Sequence, residues 1–70
     1  MIVVRLDRIM ADRKMSLRRL AKEIQISEVN LSRIKTGSVK SIRFDTLNKL
    51  CKALSCTPKD ILDFQWDIDD

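Results

Sequence analysis

Glu28, Val29, Ser32 and Arg33 fall within six residues, interleaved with Leu31 and Ile34. If the stretch is helical, Leu31 and Ile34 share one face and the other four occupy adjacent turns away from it. The side chains have chemistry suited to base edges. A guanidinium at Arg33 can pair bidentately with guanine O6 and N7, worth about 1–3 kcal/mol of discrimination. Glu28 can accept from a cytosine amino group, Val29 can meet a thymine methyl, and the Ser32 hydroxyl can bond either kind of edge. Glu28 has a second reading of equal weight, an acid that suits the start of a helix. Asn30 and Thr36, at the margins of this face, read as phosphate or capping residues. Lys35, Lys40 and Arg43 bracket its far side and are placed to hold the phosphates of the second strand.

Two helices have to hold that face. Leu17, Leu20, Ala21 and Ile24 recur at i, i+3, i+4 and i+7, which predicts a helix over 17–24 packing one side inward. The reading face then belongs to a helix over 28–35. Gln25-Ile26-Ser27 is too short for anything but a sharp turn, so the two must cross steeply, with Ile26 plugging the gap. Ser16 and Ser27 are suitable N-caps, and Gly37 suits the residue just past a helix end. Arg18 and Arg19 are unusual in a first turn, where the helix dipole favours acids. A phosphate against Ser16, Arg18 and Arg19 reverses that sign, using free amides and guanidinium groups together. Simple exposure of the two arginines is the competing reading.

The remainder of the chain is consistent with a small all-α domain. Leu6, Ile9, Met10 and Arg13 predict a helix over 4–13, although Ile2-Val3-Val4 fits a short strand equally well. Phe44, Leu47, Leu50, Cys51 and Leu54 suggest a stripe on a helix over 44–55, with Phe44 and Cys51 turned inward. Thr57-Pro58-Lys59-Asp60 is a start signal for a last helix over 58–63. In the tail, 64–70, Phe64, Trp66 and Ile68 alternate with polar residues, a strand pattern. Met1–Val4 is therefore expected to pair with Gln65–Ile68, within one chain or between two. All 70 residues are read as one domain, 1–70.

Charge points the same way. Residues 1–59 hold all fourteen Lys and Arg against five acids, a net +9, while residues 60–70 carry five Asp and no base. A basic body suits a polyanion partner, and an acidic tail should face away from phosphates. Cys51 and Cys56 have no histidine or CxxC partner, so free thiols in a reducing cytoplasm are expected, without metal or cofactor. No signal peptide or membrane-spanning run is present in the sequence. Catalysis is not expected: with no histidine and no Gly-rich loop, nucleophile–base pairs and phosphate cradles lack their parts.

From Leu6 to Leu62 the sequence resembles the Cro/CI-type (XRE-type) helix-turn-helix family. The shared features are Leu20-Ala21, Ile26-Ser27 and Leu31-Ser32-Arg33-Ile34 ahead of Gly37. Thr46-Leu47, Leu50-Cys51, Ala53-Leu54 and Asp60-Ile61-Leu62 fit as well. The run from Asn30 through Ile42-Arg43-Phe44 to Leu50-Cys51 is similar to a subgroup of very small bacterial regulators. The resemblance implies a compact five-helix bundle of the lambda repressor-like fold, to which the alternation at the chain ends adds short terminal β-strands. It also implies binding to double-stranded DNA as a homodimer on a near-palindromic operator, and transcriptional control, repressor-like, in the cytoplasm. Four positions depart from the family pattern. Leu17 stands where Gln is frequent, leaving Arg18 to take over a phosphate contact. Gln25 stands where Gly is usual, and is expected at positive φ. Met10 and Lys35 replace a buried Arg–Glu pair, which frees Lys35 to face DNA.

Two other readings compete. A protein-interaction module of the same fold, such as an antitoxin or accessory factor, needs a large apolar patch on the 28–35 face, where Val29 is the one sizeable apolar residue. Single-stranded RNA binding needs exposed aromatic rings, and an inward Phe44 leaves little for it.

Overall fold

The computed structural model describes residues 1–66. Seven elements follow in order: β1 (Ile2–Val4), α1 (Leu6–Asp12), α2 (Leu17–Ile24), α3 (Glu28–Lys35), α4 (Phe44–Leu54), α5 (Pro58–Ile61) and β2 (Leu62–Phe64). Five helices surround a core in which Leu6, Leu20, Leu31, Leu50, Leu54 and Ile61 are fully buried. Ile9, Met10, Ala21, Ile24, Ile34 and Leu47 complete it, and Met15, Ile26, Val39 and Ile42 pack on its edge. Among the described residues, no helix is long and apolar enough to cross a membrane.

α2 and α3 span the expected residues because their starts are chemically marked. The Ser16 hydroxyl accepts from the Arg19 amide at 3.1 Å, and Ser27 does the same for Asn30 at 3.1 Å. α5 is held at its start by Asp60, whose carboxylate accepts from the Thr57 amide at 3.0 Å. That backbone hydrogen bond keeps the Asp60 carboxyl below its ordinary range. A depressed acid stabilises the fold above its unfolded pKa, so α5 is secured at neutral pH and loosens as pH falls through the lowered value.

Four helices end in one way. A left-handed residue follows each of α1 to α4, and the next amide bonds back to the carbonyl five residues earlier. The bonds are Met15 to Met10 (2.9 Å), Ile26 to Ala21 (3.0 Å), Ser38 to Arg33 (2.9 Å) and Cys56 to Cys51 (3.0 Å). The left-handed residues are Lys14, Gln25, Gly37 and Ser55, at φ of 53°, 60°, 78° and 50°. Gln25 is thus where the sequence placed it, and three of the four positions carry a side chain that the conformation disfavours. Gln25→Gly is expected to raise stability by about 0.5–1 kcal/mol, after the entropy lost by a freer unfolded chain. An unchanged or lowered urea midpoint would show that the turn is not strained.

The chain ends differ from the sequence expectation in detail. The first helix begins at Leu6, not residue 4, because Ile2–Val4 is a strand and the Arg5 amide donates to Ile61 O at 2.6 Å. The last helix stops at Ile61, not residue 63, since Leu62 is already extended at φ −117° and ψ 141°. β1 and β2 pair antiparallel as Ile2↔Phe64, Val3↔Asp63 and Val4↔Leu62. The strand thus forms from Leu62–Phe64 instead of Gln65–Ile68, and only the Met1–Gln65 backbone bonds match the expected partners. Starting the strand directly after α5 lets Leu62 reach the core beside Val4, which a strand begun at Gln65 does not. The part of that expectation resting on Ile68 lies outside the described residues.

Two expected core positions also move. Phe44 is 83 % exposed. Leu47, Leu50 and Leu54 centre the buried stripe of α4, and at about 100° per residue Phe44 points about 90° away from that centre. Cys51, about 70° off by the same count, is half-buried rather than buried. Both cysteines are free thiols, and burial together with the neighbouring Cys51 pushes the Cys56 thiol up. The cap on the end of α4 comes from afar: Arg13 Nε donates to Leu54 O at 2.8 Å and Nη2 to Ser55 O at 3.3 Å. A cation there also suits the negative end of the helix dipole.

Candidate nucleic-acid interface

α3 packs through Leu31 and Ile34 and turns the rest of its circumference outward. With the core direction set midway between those two, Val29 and Thr36 point nearly opposite to it, and Ser32 and Arg33 lie about 50° to either side of the outward axis. Glu28, Asn30 and Lys35 occupy the flanks, about 70–90° from the core direction. Val29 is 68 % exposed, Arg33, Glu28, Asn30 and Thr36 are exposed, and Ser32 and Lys35 are half-buried. Lys35 therefore sits on the shoulder of the helix instead of facing fully outward. Its departure from the family pattern leaves Met10 buried at 4 % exposure, filling the space apolarly as expected.

Some of the polar groups on this face are already engaged. The Thr36 hydroxyl donates to Arg33 O at 3.3 Å and lies 3.0 Å from the Ser38 hydroxyl, so it closes the end of α3. The Asn30 amide is taken by the Ser27 cap, while its side chain is exposed. Ser16 accepts its capping bond through an oxygen whose proton stays free to donate. Arg18 and Arg19 stand exposed in the first turn of α2, which has no acid to offset them.

Between α3 and the start of α4 runs a cleft lined by Asn30, Arg33, Val39, Ile42, Arg43 and Thr46 among others. The fold thus brings Arg33 and Asn30 of α3 onto one wall system with Arg43, ten residues further along the chain. Arg43 caps α4 without a side-chain bond and makes an exposed ion pair with Asp45, Nε to Oδ1 at 3.3 Å. An ion pair this exposed is weak, so a phosphate can compete for the guanidinium. Lys40 is exposed in the loop before it. Phe44, next to Arg43, is the residue of this region that sequence reasoning assigned to the core. Its helical phase, a quarter-turn from the leucine stripe, was the signal that separates it.

A family model for the Cro/C1-type HTH DNA-binding domain matches residues 5–67. The chain is 44 % identical over 68 residues to a Bacillus subtilis (strain 168) protein described as an uncharacterized HTH-type transcriptional regulator, YozG. That alignment covers 97 % of this chain and 81 % of the relative. Its fold is also similar to a crystal structure of a Bacteroides fragilis protein assigned to DNA binding. The TM-score is 0.77 at 28 % identity, over 90 % of this chain and 100 % of the other.

Proposed function

The chain belongs to the Cro/C1-type helix-turn-helix DNA-binding family and is a DNA-binding regulator of that type, and on that premise we propose that α3 enters the major groove of an operator. The observation that carries the reading is the outward face of α3, where Val29 and Arg33 stand exposed beside a half-buried Ser32 on a helix whose other side is buried. Arg33 pairs with a guanine, Val29 meets a thymine methyl, Ser32 bonds a neighbouring base, and Glu28 reaches a cytosine from the flank. Phosphate contacts fix the pose: Ser16, Arg18 and Arg19 at the start of α2, Asn30 and Lys35 around α3, and Lys40 and Arg43 beyond it, while Thr36 serves as the cap of α3. Two copies bind as a homodimer on a near-palindromic operator, with half-sites about one helical turn apart, in the cytoplasm. The whole chain acts as one domain and has no catalytic role.

The exposed Phe44 removes one ground for setting RNA stacking aside, and family membership takes its place. The 28–35 face offers no apolar patch beyond Val29, so it favours nucleic acid over a protein partner.

Salt dependence tests the docking pose. Among Arg18, Arg19, Lys35, Lys40 and Arg43, replacing one that meets a phosphate should weaken binding on all sequences and flatten the slope of log K against log salt by about 1. If all five single replacements leave slope and affinity unchanged, the docking face lies elsewhere.

A further inference from the structure

The two-stranded ribbon has two edges, and the structure treats them unequally. Bonds between Met1 and Gln65 and from Arg5 to Ile61 mark the odd-numbered residues of β1 as the ones that face β2. Antiparallel alternation then turns the N–H and C=O groups of Ile2 and Val4 outward on one edge, and those of Leu62 and Phe64 on the other. The β2 edge is blunted. The Leu62 amide donates to Pro58 O, and the Phe64 amide donates to its neighbour's Asp63 Oδ1 at 2.8 Å. The β1 edge is not. Among the described residues, the outward backbone groups of Ile2 and Val4 make no hydrogen bond. An open edge of this kind is a template for another strand.

Side chains say which strand fits. Ile2, Val4, Leu62 and Phe64 share the face turned to the helices, but only Val4 and Leu62 pack on the core. Ile2 is 63 % exposed and Phe64 47 %, with Trp66 edge-on to Phe64 at 4.7 Å. The outer end of the ribbon, at Ile2 and Phe64, therefore leaves its apolar side uncovered. Charge narrows the occupant further. Residues 1–66 hold fourteen Lys and Arg against seven acids, so two copies repel over most of their surfaces. Met1–Val4 carries no charged side chain, the Met1 ammonium is turned to Gln65 O just past β2, and Arg5 is paired with Asp63. β1 can therefore approach its own copy with little like-charge repulsion.

We propose that β1 pairs antiparallel with β1 of a second copy, giving a four-stranded sheet across a two-fold axis. Parity restricts pairing to Ile2 and Val4, and only Ile2 opposite Val4 engages both residues of each strand. Placing Ile2 opposite the partner's Val4 aligns outward groups with outward groups, so each such pair exchanges two backbone bonds, four in all. The two Val3 residues then face each other on the axis as a closely spaced, non-hydrogen-bonded pair. This register also sets the exposed Ile2 beside the partner's Val4, covering part of that apolar side. The contact is isologous, as a closed dimer requires. It gives the homodimer proposed above its surface and involves no DNA, so its failure leaves the reading of α3 standing.

Sedimentation velocity of the full chain without DNA tests it. A species of twice the 8.2 kDa monomer is expected. Ile2→Pro removes an outward donor from each copy but no bond to β2, and should weaken self-association by about tenfold or more with an unchanged circular dichroism spectrum. Val3→Cys should form a covalent dimer under a mild disulfide oxidant, much faster than Ile2→Cys or the wild-type chain with Cys51 and Cys56. A monomer persisting at about 0.1 mM, a dimer indifferent to Ile2→Pro, or equal cross-linking of Ile2→Cys and Val3→Cys would overturn the proposal.

Discussion

Replacing Leu50 with alanine should destabilise this fold by about 2–5 kcal/mol, whereas Phe44→Ala, on the same helix, should stay within about 0.5 kcal/mol. Leu50 is fully buried in the stripe that α4 presses against the body, so truncation removes transfer energy and leaves a cavity. Phe44 is 83 % exposed and forfeits little. For 70 residues the total stability is only about 4–10 kcal/mol, so the first variant loses at least about a fifth of it. Urea unfolding at fixed ionic strength measures both. A large loss for Phe44→Ala would mean that the ring is covered, and the phase assigned to α4 would be wrong.

How much of this was legible in the sequence depended on how local the cause was. α2 and α3 could be placed to the residue because Ser16, Ser27 and Gln25 mark their ends within three residues of the backbone groups they satisfy. The strands were legible in type and misplaced in position. Alternation at Phe64 and Trp66 shows an extended chain, but Ile61 and Leu62 are both apolar and give no sign of where the helix stops. The pairing with β1, from the Arg5–Ile61 bond to Val4 opposite Leu62, marks the place, and it comes from the other end of the chain. The capping of α4 by Arg13 was hidden for the same reason, since its carbonyl partners lie more than 40 positions away. Phe44 was misread by spacing alone: three residues fall 60° short of a full turn, and at the end of a stripe that shortfall decides exposure. On α3, buried Leu31 and Ile34 fixed the outward face, while the half-buried shoulder position of Lys35 depended on neighbouring elements.

Arg33→Ala is expected to have the largest effect on function. Arg33 stands exposed on the outward side of α3, beside a cleft whose other wall includes Arg43, with no ion-pair partner among the described residues. Its fork of donors is therefore available to a guanine, and losing a bidentate pair costs about 1–3 kcal/mol on the correct sequence, a factor of roughly 5 to 150 per half-site. A phosphate contact behaves differently, weakening every sequence alike and reducing the salt slope.

The comparison that separates these outcomes is a binding titration on two duplexes at one salt concentration. One duplex is the best operator selected from a random library by the wild-type chain, and the other is the same sequence scrambled. Arg33→Ala should bind the selected operator at least fivefold more weakly, hardly change on the scrambled duplex, and lose its preference at one base pair per half-site. Equal weakening on both duplexes, or no sequence enrichment by the wild-type chain, would contradict a base-reading α3.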